Sequence, residues 1–537
     1  MSLSQPLEVG PGLRYKEKNM SRKTPGLFLA LLSGALTALA FPKFNLSFLA
    51  WISLVPLFYV LSRSRPKQAF WNGLAAGVAF YGVLLYWIPD VPAHYGDLPM
   101  WLSVVIFLIL ILFLAGYWAL FGLSFAAVRQ AFPAAACILA PFLWVSFEYA
   151  MTYVLTGFPW GVLGYSQARD IPFLQLASLT GVYGLSFVLV FLQSAFVLAM
   201  KLRKRAPFVA AAALLAIVHA AGWMSLGKIV PSKDSFTASV IQGNVSSDIT
   251  WDMISGEETT KIFRDHMDLT RQAYESGARL IIWPELSVPL CFSCPEGIYQ
   301  LFKGELSRFV RENPSTLLLG TNEMSGPPGS QLYYNTALCL HPDLSMTRYA
   351  KMHLVPFGEY TPYKKIFFFI EKVTHAIGDI EPGGEYVLHE HAGLKFGSPI
   401  CYEVVFPDLV RRFAKKGADF LVTITNDGWY GRTSAPRQHF AMAIFRAVEN
   451  RRFLLRAATT GVSGIIDPYG RVMAESKLVT RTYLTGTVTP TRKMTFYTKH
   501  GDVLAWASLT LSIIFFIMRI FKNTREREHH GPKRAVH

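Results

Sequence analysis

Charge is what this chain is short of. Only 16% of its 537 residues are Asp, Glu, Lys or Arg, where a soluble protein of this length carries about 25%. Hydrophobic residues make up 52%, and mean hydropathy is +0.30. The deficit is concentrated in the first 230 residues and in one stretch near the end, which points to the membrane. Cysteine is scarce too: five residues exclude a disulfide-stapled scaffold. His and Cys lack ligand spacing and no Walker-type glycine-rich loop is present, so neither a metal nor a nucleotide cofactor is expected. No repeat with a period of roughly 20–50 residues is visible. The net charge of +16 sits in short clusters between apolar runs, a pattern that membrane topology explains without nucleic acid.

A bilayer-spanning helix needs about 20 mostly apolar residues. Eight segments qualify: 25–41, 46–62, 69–89, 100–128, 132–151, 172–200, 207–227 and 503–521. The first is too hydrophobic, and too closely followed by others, for a cleaved signal peptide. Lys and Arg in the short connections set the orientation. One side holds Arg14, Lys16, Lys18, Arg22 and Lys23, then Arg63, Arg65 and Lys67, Arg129, Lys201, Arg203, Lys204 and Arg205, and six more from Arg519 to Arg534. The other side holds only Lys43 and Arg169. This bias predicts cytoplasmic termini (1–24 and the basic 522–537) and seven spans over 25–227. It places an extracytoplasmic segment at 228–502 and an eighth span at 503–521.

In 228–502, strand-length apolar runs alternate with amphipathic stretches of helix length, which predicts a layered α/β domain. The expected strands are Thr237–Gln242, Arg279–Trp283, Thr316–Gly320, Leu394–Ile400 and Phe420–Thr425. The expected helices are Glu257–Glu275, Ile298–Glu312, Pro407–Lys416 and Gln438–Asn450.

Cys401 follows one strand-like run and precedes Tyr402-Glu403 and a helix. That place gives a nucleophile exposure and free backbone N–H groups for an oxyanion. A buried structural cysteine is the plain alternative. A nucleophilic thiol needs a base or a cationic neighbour. Glu285 stands just beyond a β-like run in Trp283-Pro284-Glu285. Lys351 ends another, ahead of His353-Leu354-Val355-Pro356-Phe357-Gly358-Glu359. Each alone is as compatible with a solvated surface.

Together, in this order and with these flanks, Glu285, Lys351 and Cys401 resemble the Glu-Lys-Cys triad of the nitrilase (carbon–nitrogen hydrolase) superfamily. Asn426-Asp427-Gly428-Trp429 and Gln438-His439 fit the same pattern. A nitrilase-like αββα sandwich inserted between spans 7 and 8 of an α-helical bundle resembles the bacterial apolipoprotein N-acyltransferase family. Leu49–Leu57, Gly157-Phe158-Pro159-Trp160, Gly164-Tyr165-Ser166-Gln167, Gln242-Gly243-Asn244 and Trp251 look like its signatures. The similarity covers roughly residues 24–521.

The resemblance implies ping-pong acyl transfer at the bacterial inner membrane, with the catalytic domain periplasmic. The donor is a phospholipid such as phosphatidylethanolamine, and the acceptor is the α-amine of a diacylglyceryl-apolipoprotein. Glu285 acts as base, Lys351 stabilises the oxyanion, and Cys401 carries the thioester. Glu359, Trp251, Tyr402 and Glu403 support them. Two features depart from the family pattern. The N-terminal tail is longer and holds a second Met at position 20, which leaves the start open. Cys291-x-x-Cys294 is extra, expected as a local disulfide or two free thiols rather than a redox motif. Ile366-Phe367-Phe368-Phe369-Ile370 reads as a membrane-facing arm or a core helix. Glu148, at the end of the fifth span, is a candidate by virtue of its depth. Two other functions compete: a membrane-tethered amidohydrolase acting on a small substrate, and a transporter or receptor with an extracytoplasmic binding domain.

Overall fold

A computed structural model describes residues 23–133, 135–245, 256–286, 291–294, 297–327, 330–360 and 380–529. Trp251 and the segment Ile366–Ile370 lie outside the described residues.

The chain begins with helices: α1 (Lys23–Leu39), α2 (Val55–Leu61), α3 (Pro66–Leu84), α4 (Asp90–Tyr95), α5 (Met100–Ala131), α6 (Ala136–Tyr153), α7 (Ile171–Leu174), α8 (Ala177–Thr180), α9 (Val182–Leu202) and α10 (Ala206–Ser225). Among the described residues, five helices are long and apolar enough to cross a membrane: Met100–Ala131, Ala136–Thr156, Val182–Leu202, Ala206–Ser225 and Val503–Lys522. The other expected spans take different forms. Segment 46–62 divides into a 3-10 turn at Ser47–Trp51 and the short α2, with Pro56 setting the helix start. Segment 172–200 is broken into α7, α8 and α9, so its continuous helix starts at Val182 rather than 172. Small residues let the helices approach closely. At Gly73 of α3, any Cβ would lie 2.3 Å from the Trp118 carbonyl of α5.

All strands among the described residues lie between α10 and the last helix. They are β1 (Phe236–Gln242), β2 (Leu280–Ile282), β3 (Thr316–Ser325), β4 (Leu332–Leu340), β5 (Met346–Ala350), β6 (His389–His391), β7 (Leu394–Gly397), β8 (Phe420–Thr425), β9 (Leu454–Ala458), β10 (Gly464–Ile466), β11 (Val472–Glu475) and β12 (Thr482–Val488). Between and after them come α11 (Gly256–Glu275), α12 (Gly297–Glu312), α13 (Pro407–Lys415), α14 (Ala435–Asn450), α15 (Phe496–His500) and α16 (Val503–His529). The expected strands and helices recur with shifts of a few residues, the largest at Thr316–Gly320, where the strand runs on to Ser325, while Leu394–Ile400 stops at Gly397.

Two six-stranded sheets form, β12-β1-β2-β3-β4-β5 and β11-β10-β9-β8-β7-β6. Each has a parallel centre, β1-β2-β3 and β7-β8-β9, with antiparallel flanks. Strand alternation divides the burial. Ala238, Val240, Leu280, Ile282 and Leu318 pack with Phe396, Phe420 and Val422 between the sheets. Ile241, Ile281, Leu317 and Leu319 pack outward on Phe263 and Met267 of α11 and Leu306 and Phe309 of α12. With α13 and α14 on the other sheet, the layers are α/β/β/α.

Candidate active site

Parallel strands bring the ends that carry chemistry to one edge. Glu285 follows β2, Cys401 follows β7 and Asn426 follows β8. Strand β5 runs antiparallel to β4, and β4 antiparallel to β3, so Lys351 leaves β5 at that same edge. All three expected catalytic side chains are buried, with Lys351 only 1% exposed.

Lys351 Nζ donates to Glu285 Oε1 at 3.1 Å and to Glu359 Oε1 at 2.8 Å. Burial alone would lower its pKa. The two carboxylates outweigh that, and its pKa stands well above the ordinary lysine value. Asn335 of β4 supplies a second bridge, its Nδ2 donating to Glu285 Oε1 at 2.8 Å and Glu359 Oε1 at 2.9 Å. The remaining oxygens are also held: Glu285 Oε2 accepts from the Asn426 amide at 2.7 Å, and Glu359 Oε2 from the Val355 amide at 2.8 Å. Carboxylates held this way keep a fixed direction, which a base needs.

Cys401 opens a 3-10 turn, Cys401–Val405, with φ +50. A non-glycine residue there is strained and persists only where neighbours hold it. Glu403 supplies much of that hold. Its Oε1 accepts from the Tyr349 hydroxyl (2.8 Å) and the Met352 (2.8 Å) and His353 (3.1 Å) amides, and its Oε2 from the Ile400 amide (2.7 Å). One buried side chain thus ties the lysine strand's exit to the cysteine turn. From the other side, His439 Nε2 donates to the Cys401 carbonyl at 3.2 Å, while Arg456 Nη2 donates to Asp427 Oδ2 and to His439 Nδ1, both at 2.9 Å. Burial raises Asp427, yet the Arg456 guanidinium beside it overcomes this and holds the carboxyl at about 2. Burial pushes the Cys401 thiol up, Glu285 adds to this, and Lys351 opposes it. The resting nucleophile is therefore a thiol that must lose its proton to a base.

Tyr402 reaches into the helical half. Its hydroxyl donates to the Gly157 carbonyl at 3.0 Å. Gly157 has φ +81, and a Cβ there would collide with the Thr152 carbonyl. Trp160 of the same loop donates from Nε1 to Gln438 Oε1 at 2.7 Å, beside His439. Glu148 anchors the same loop, its Oε1 accepting from the Leu163 amide and Trp144 Nε1, both at 2.8 Å. Cys291 and Cys294 form a disulfide after Glu285. Sequence reasoning missed Asn335, Tyr349 and Arg456. The signal at Asn335 is a lone amide in the apolar run Ala337–Leu340 and its approach, on a strand whose neighbours are buried.

Two family profiles match. The apolipoprotein N-acyltransferase N-terminal domain covers residues 33–195, and the carbon-nitrogen hydrolase domain covers 237–493. An apolipoprotein N-acyltransferase of Geobacter metallireducens is 38% identical, over 89% of this chain and 92% of that one. The chain belongs to the apolipoprotein N-acyltransferase family. The family's Pseudomonas putida member is 33% identical, over 91% of this chain and 95% of that one. A nitrilase-superfamily protein of Saccharomyces cerevisiae, Nit3, is similar at 18% identity and TM-score 0.38, over 49% of this chain and 93% of that one. As a member of the N-acyltransferase family, the chain is an acyl-transferring enzyme of the membrane. Leu49–Leu57 and Gly157–Gln167 fall inside the N-terminal match, and Glu285, Lys351 and Cys401 inside the hydrolase match.

Proposed function

We propose that the enzyme takes a fatty acyl chain from the sn-1 position of a phospholipid, with phosphatidylethanolamine as donor. It passes the chain to the N-terminal α-amine of a diacylglyceryl-apolipoprotein. The observation that carries this reading is the buried Lys351 ammonium shared by Glu285 and Glu359, beside a buried thiol at a strand end. Glu285 takes the Cys401 proton, and the thiolate sulfur attacks the ester carbonyl. Lys351 and the Tyr402 amide, which has no hydrogen-bond partner among the described residues, stabilise the oxyanion. The C–O bond breaks, the lysophospholipid leaves with the proton held by Glu285, and a thioester remains. The acceptor amine loses its proton to Glu285 and attacks. The C–S bond breaks and Cys401 regains a proton. Glu359 orients Lys351, and Tyr402 and Glu403 position the cysteine turn. Trp251 keeps the supporting role that the family pattern implies.

The bond from Tyr402 to Gly157 favours a lipid donor over a small soluble amide, because it couples the nucleophile's turn to the helical half. The basic bias of the short loops supports both termini in the cytoplasm of an inner-membrane protein and the α/β domain, about 228–502, in the periplasm. The test is incubation of purified enzyme with phosphatidylethanolamine labelled in its sn-1 chain. A hydroxylamine-sensitive adduct on the Cys401 peptide, with lysophospholipid released and no adduct in Cys401→Ala, is the expected result. Folded protein that yields neither product returns the question to small amides. Cleavage of 228–502 by protease added to spheroplasts checks the orientation.

A further inference from the structure

Between the helical and α/β halves lies a cavity of ≈ 180 Å³ that the chemistry above does not use. Helix α14 lines it with Arg437, Phe440, Ala441 and Ile444, whose three- and four-residue spacing places them on one face. His439, which reaches the Cys401 carbonyl, belongs to the opposite face. The facing wall comes from the connections of the helical half, including Asn45, Ser47 and Arg169. These connections are where the two halves join: Gln438 Nε2 donates to the Pro42 carbonyl at 2.9 Å, and Arg446 Nη2 to the Tyr165 hydroxyl at 2.8 Å.

The charge of this cleft is unbalanced. Arg169 is exposed, and its side chain has no ion pair among the described residues. Among the described residues Arg437 pairs only with Glu475, the one carboxylate of the cavity lining, at 3.8 Å, beyond hydrogen-bond length, which leaves the lining with one cation in excess. The neighbouring Asp170 is already engaged by the Phe173 amide and His219 Nε2. Lys43, also exposed, stands between the lining residues Pro42 and Asn45. Lys43 and Arg169 are the two basic residues that break the charge bias of the short connections. At the rim, Phe44 and Leu46 on one side and Val472 and Met473 on the other are exposed apolar side chains. Guanidinium groups between apolar walls, at the level where a bilayer gives way to water, suit one class of ligand.

We infer that this cleft holds the phosphate-bearing head group of a phospholipid, at a second lipid site on the face of α14 turned away from Cys401. Arg169 and Arg437 donate to the phosphate oxygens, and the acyl chains run over the apolar rim. The inference rests on the membrane placement proposed above. A lipid seated here would brace α14, whose other face carries His439 to the nucleophile's turn.

The test uses full-length enzyme in nanodiscs containing a phospholipid with a photoactivatable head group, followed by peptide mapping. Wild type and Cys401→Ala are expected to label peptides spanning 165–171 and 437–444. In Arg169→Gln/Arg437→Gln that labelling should fall at least about tenfold, as loss of two charge-assisted bonds implies, while labelling near Cys401 stays. Ala441→Phe, which fills the cavity and removes no charge, should lower the same labels. Equal labelling in both folded variants, or no label on these peptides in wild type, overturns the proposal. Displacement by excess inorganic phosphate also overturns it, in favour of a soluble anion. The Cys401 thioester, read in the same sample, fails independently if the catalytic reading is the faulty one.

Discussion

In the helical half, α9 has 72% of its span buried, whereas α10 and the apolar part of α16 have 11% and 17%. In the α/β half, every residue of β2 and β8 is buried, and the amphipathic helices α11 and α12 turn polar faces outward. The first region leaves large apolar side chains such as Ile217, Trp223 and Phe521 exposed, where lipid is the natural solvent. Its buried polar groups serve the backbone: Gln193 accepts from the Leu54 amide and donates to the Ala50 carbonyl, and Glu148 holds the Leu163 amide. The second region gathers buried charge into clusters near the strand ends, Glu285–Lys351–Glu359 and Asp427–Arg456 with His439 beside them. The difference teaches where chemistry can be placed. Clustered carboxylates need a rigid set of donors from several elements, which the double sheet gathers at one edge around Glu285 and Glu359.

Four predictions sharpen that contrast. The largest effects belong to the α/β site. Glu285→Gln should lower turnover by about 10²–10⁴-fold with the fold retained, the range for losing a general base. Thioester formation by mass spectrometry checks this, and a change under tenfold would remove Glu285 from the base's role. Lys351→Met should leave two buried carboxylates facing each other and destabilise the α/β half by about 3–5 kcal/mol. Cys339 of β4 and Cys137 of α6 are both buried and free, so their thiol reactivity in rising denaturant reports each half separately. Cys339 alone should become reactive earlier.

Acid should act on the same half. His266 and His389 are fully buried, and burial lowers them to about 4 and about 3 from an ordinary 6.5. The unfolded chain therefore binds more protons below pH 6.5. The stability these groups contribute is complete above that pH and declines as pH falls towards 4 and 3, by about 1.4 kcal/mol per pH unit for each histidine. Between pH 7 and 5 the denaturant midpoint for Cys339 should drop while that for Cys137 holds, and His389→Gln should flatten the slope. A parallel drop for Cys137 would mean that the halves unfold as one unit. The smallest effect is expected in the helical half. Glu148→Gln keeps an oxygen for Leu163 and Trp144 and should change stability by less than about 1 kcal/mol. A larger loss, read at Cys137, would show that the charge itself matters there.

Much of the site was legible in the sequence because strand ends carry their own flanks. Trp283-Pro284-Glu285, Lys351 before His353-Leu354, and Ile400-Cys401-Tyr402 each end a strand-like run with a reactive residue. Asn335 and Arg456 were not legible, since each lies inside a strand and acquires meaning only from residues 50 and 29 positions away. The spans show the same limit. Hydropathy located α5, α6, α9, α10 and α16, but it read 172–200 as one helix because apolar composition is blind to the breaks before Val182.

By itself, the sequence determined the long apolar runs of the helical half and the α/β alternation, and through the family resemblance it marked Glu285, Lys351 and Cys401 as candidates. These follow from local composition, periodicity and motif flanks. Only the tertiary structure decided that one ammonium serves two carboxylates, that Glu403 fastens the cysteine turn to the lysine strand, and that Tyr402 ties that turn to Gly157. Such bonds join residues far apart in the chain, and their geometry exists only once two sheets and a helical bundle have packed together.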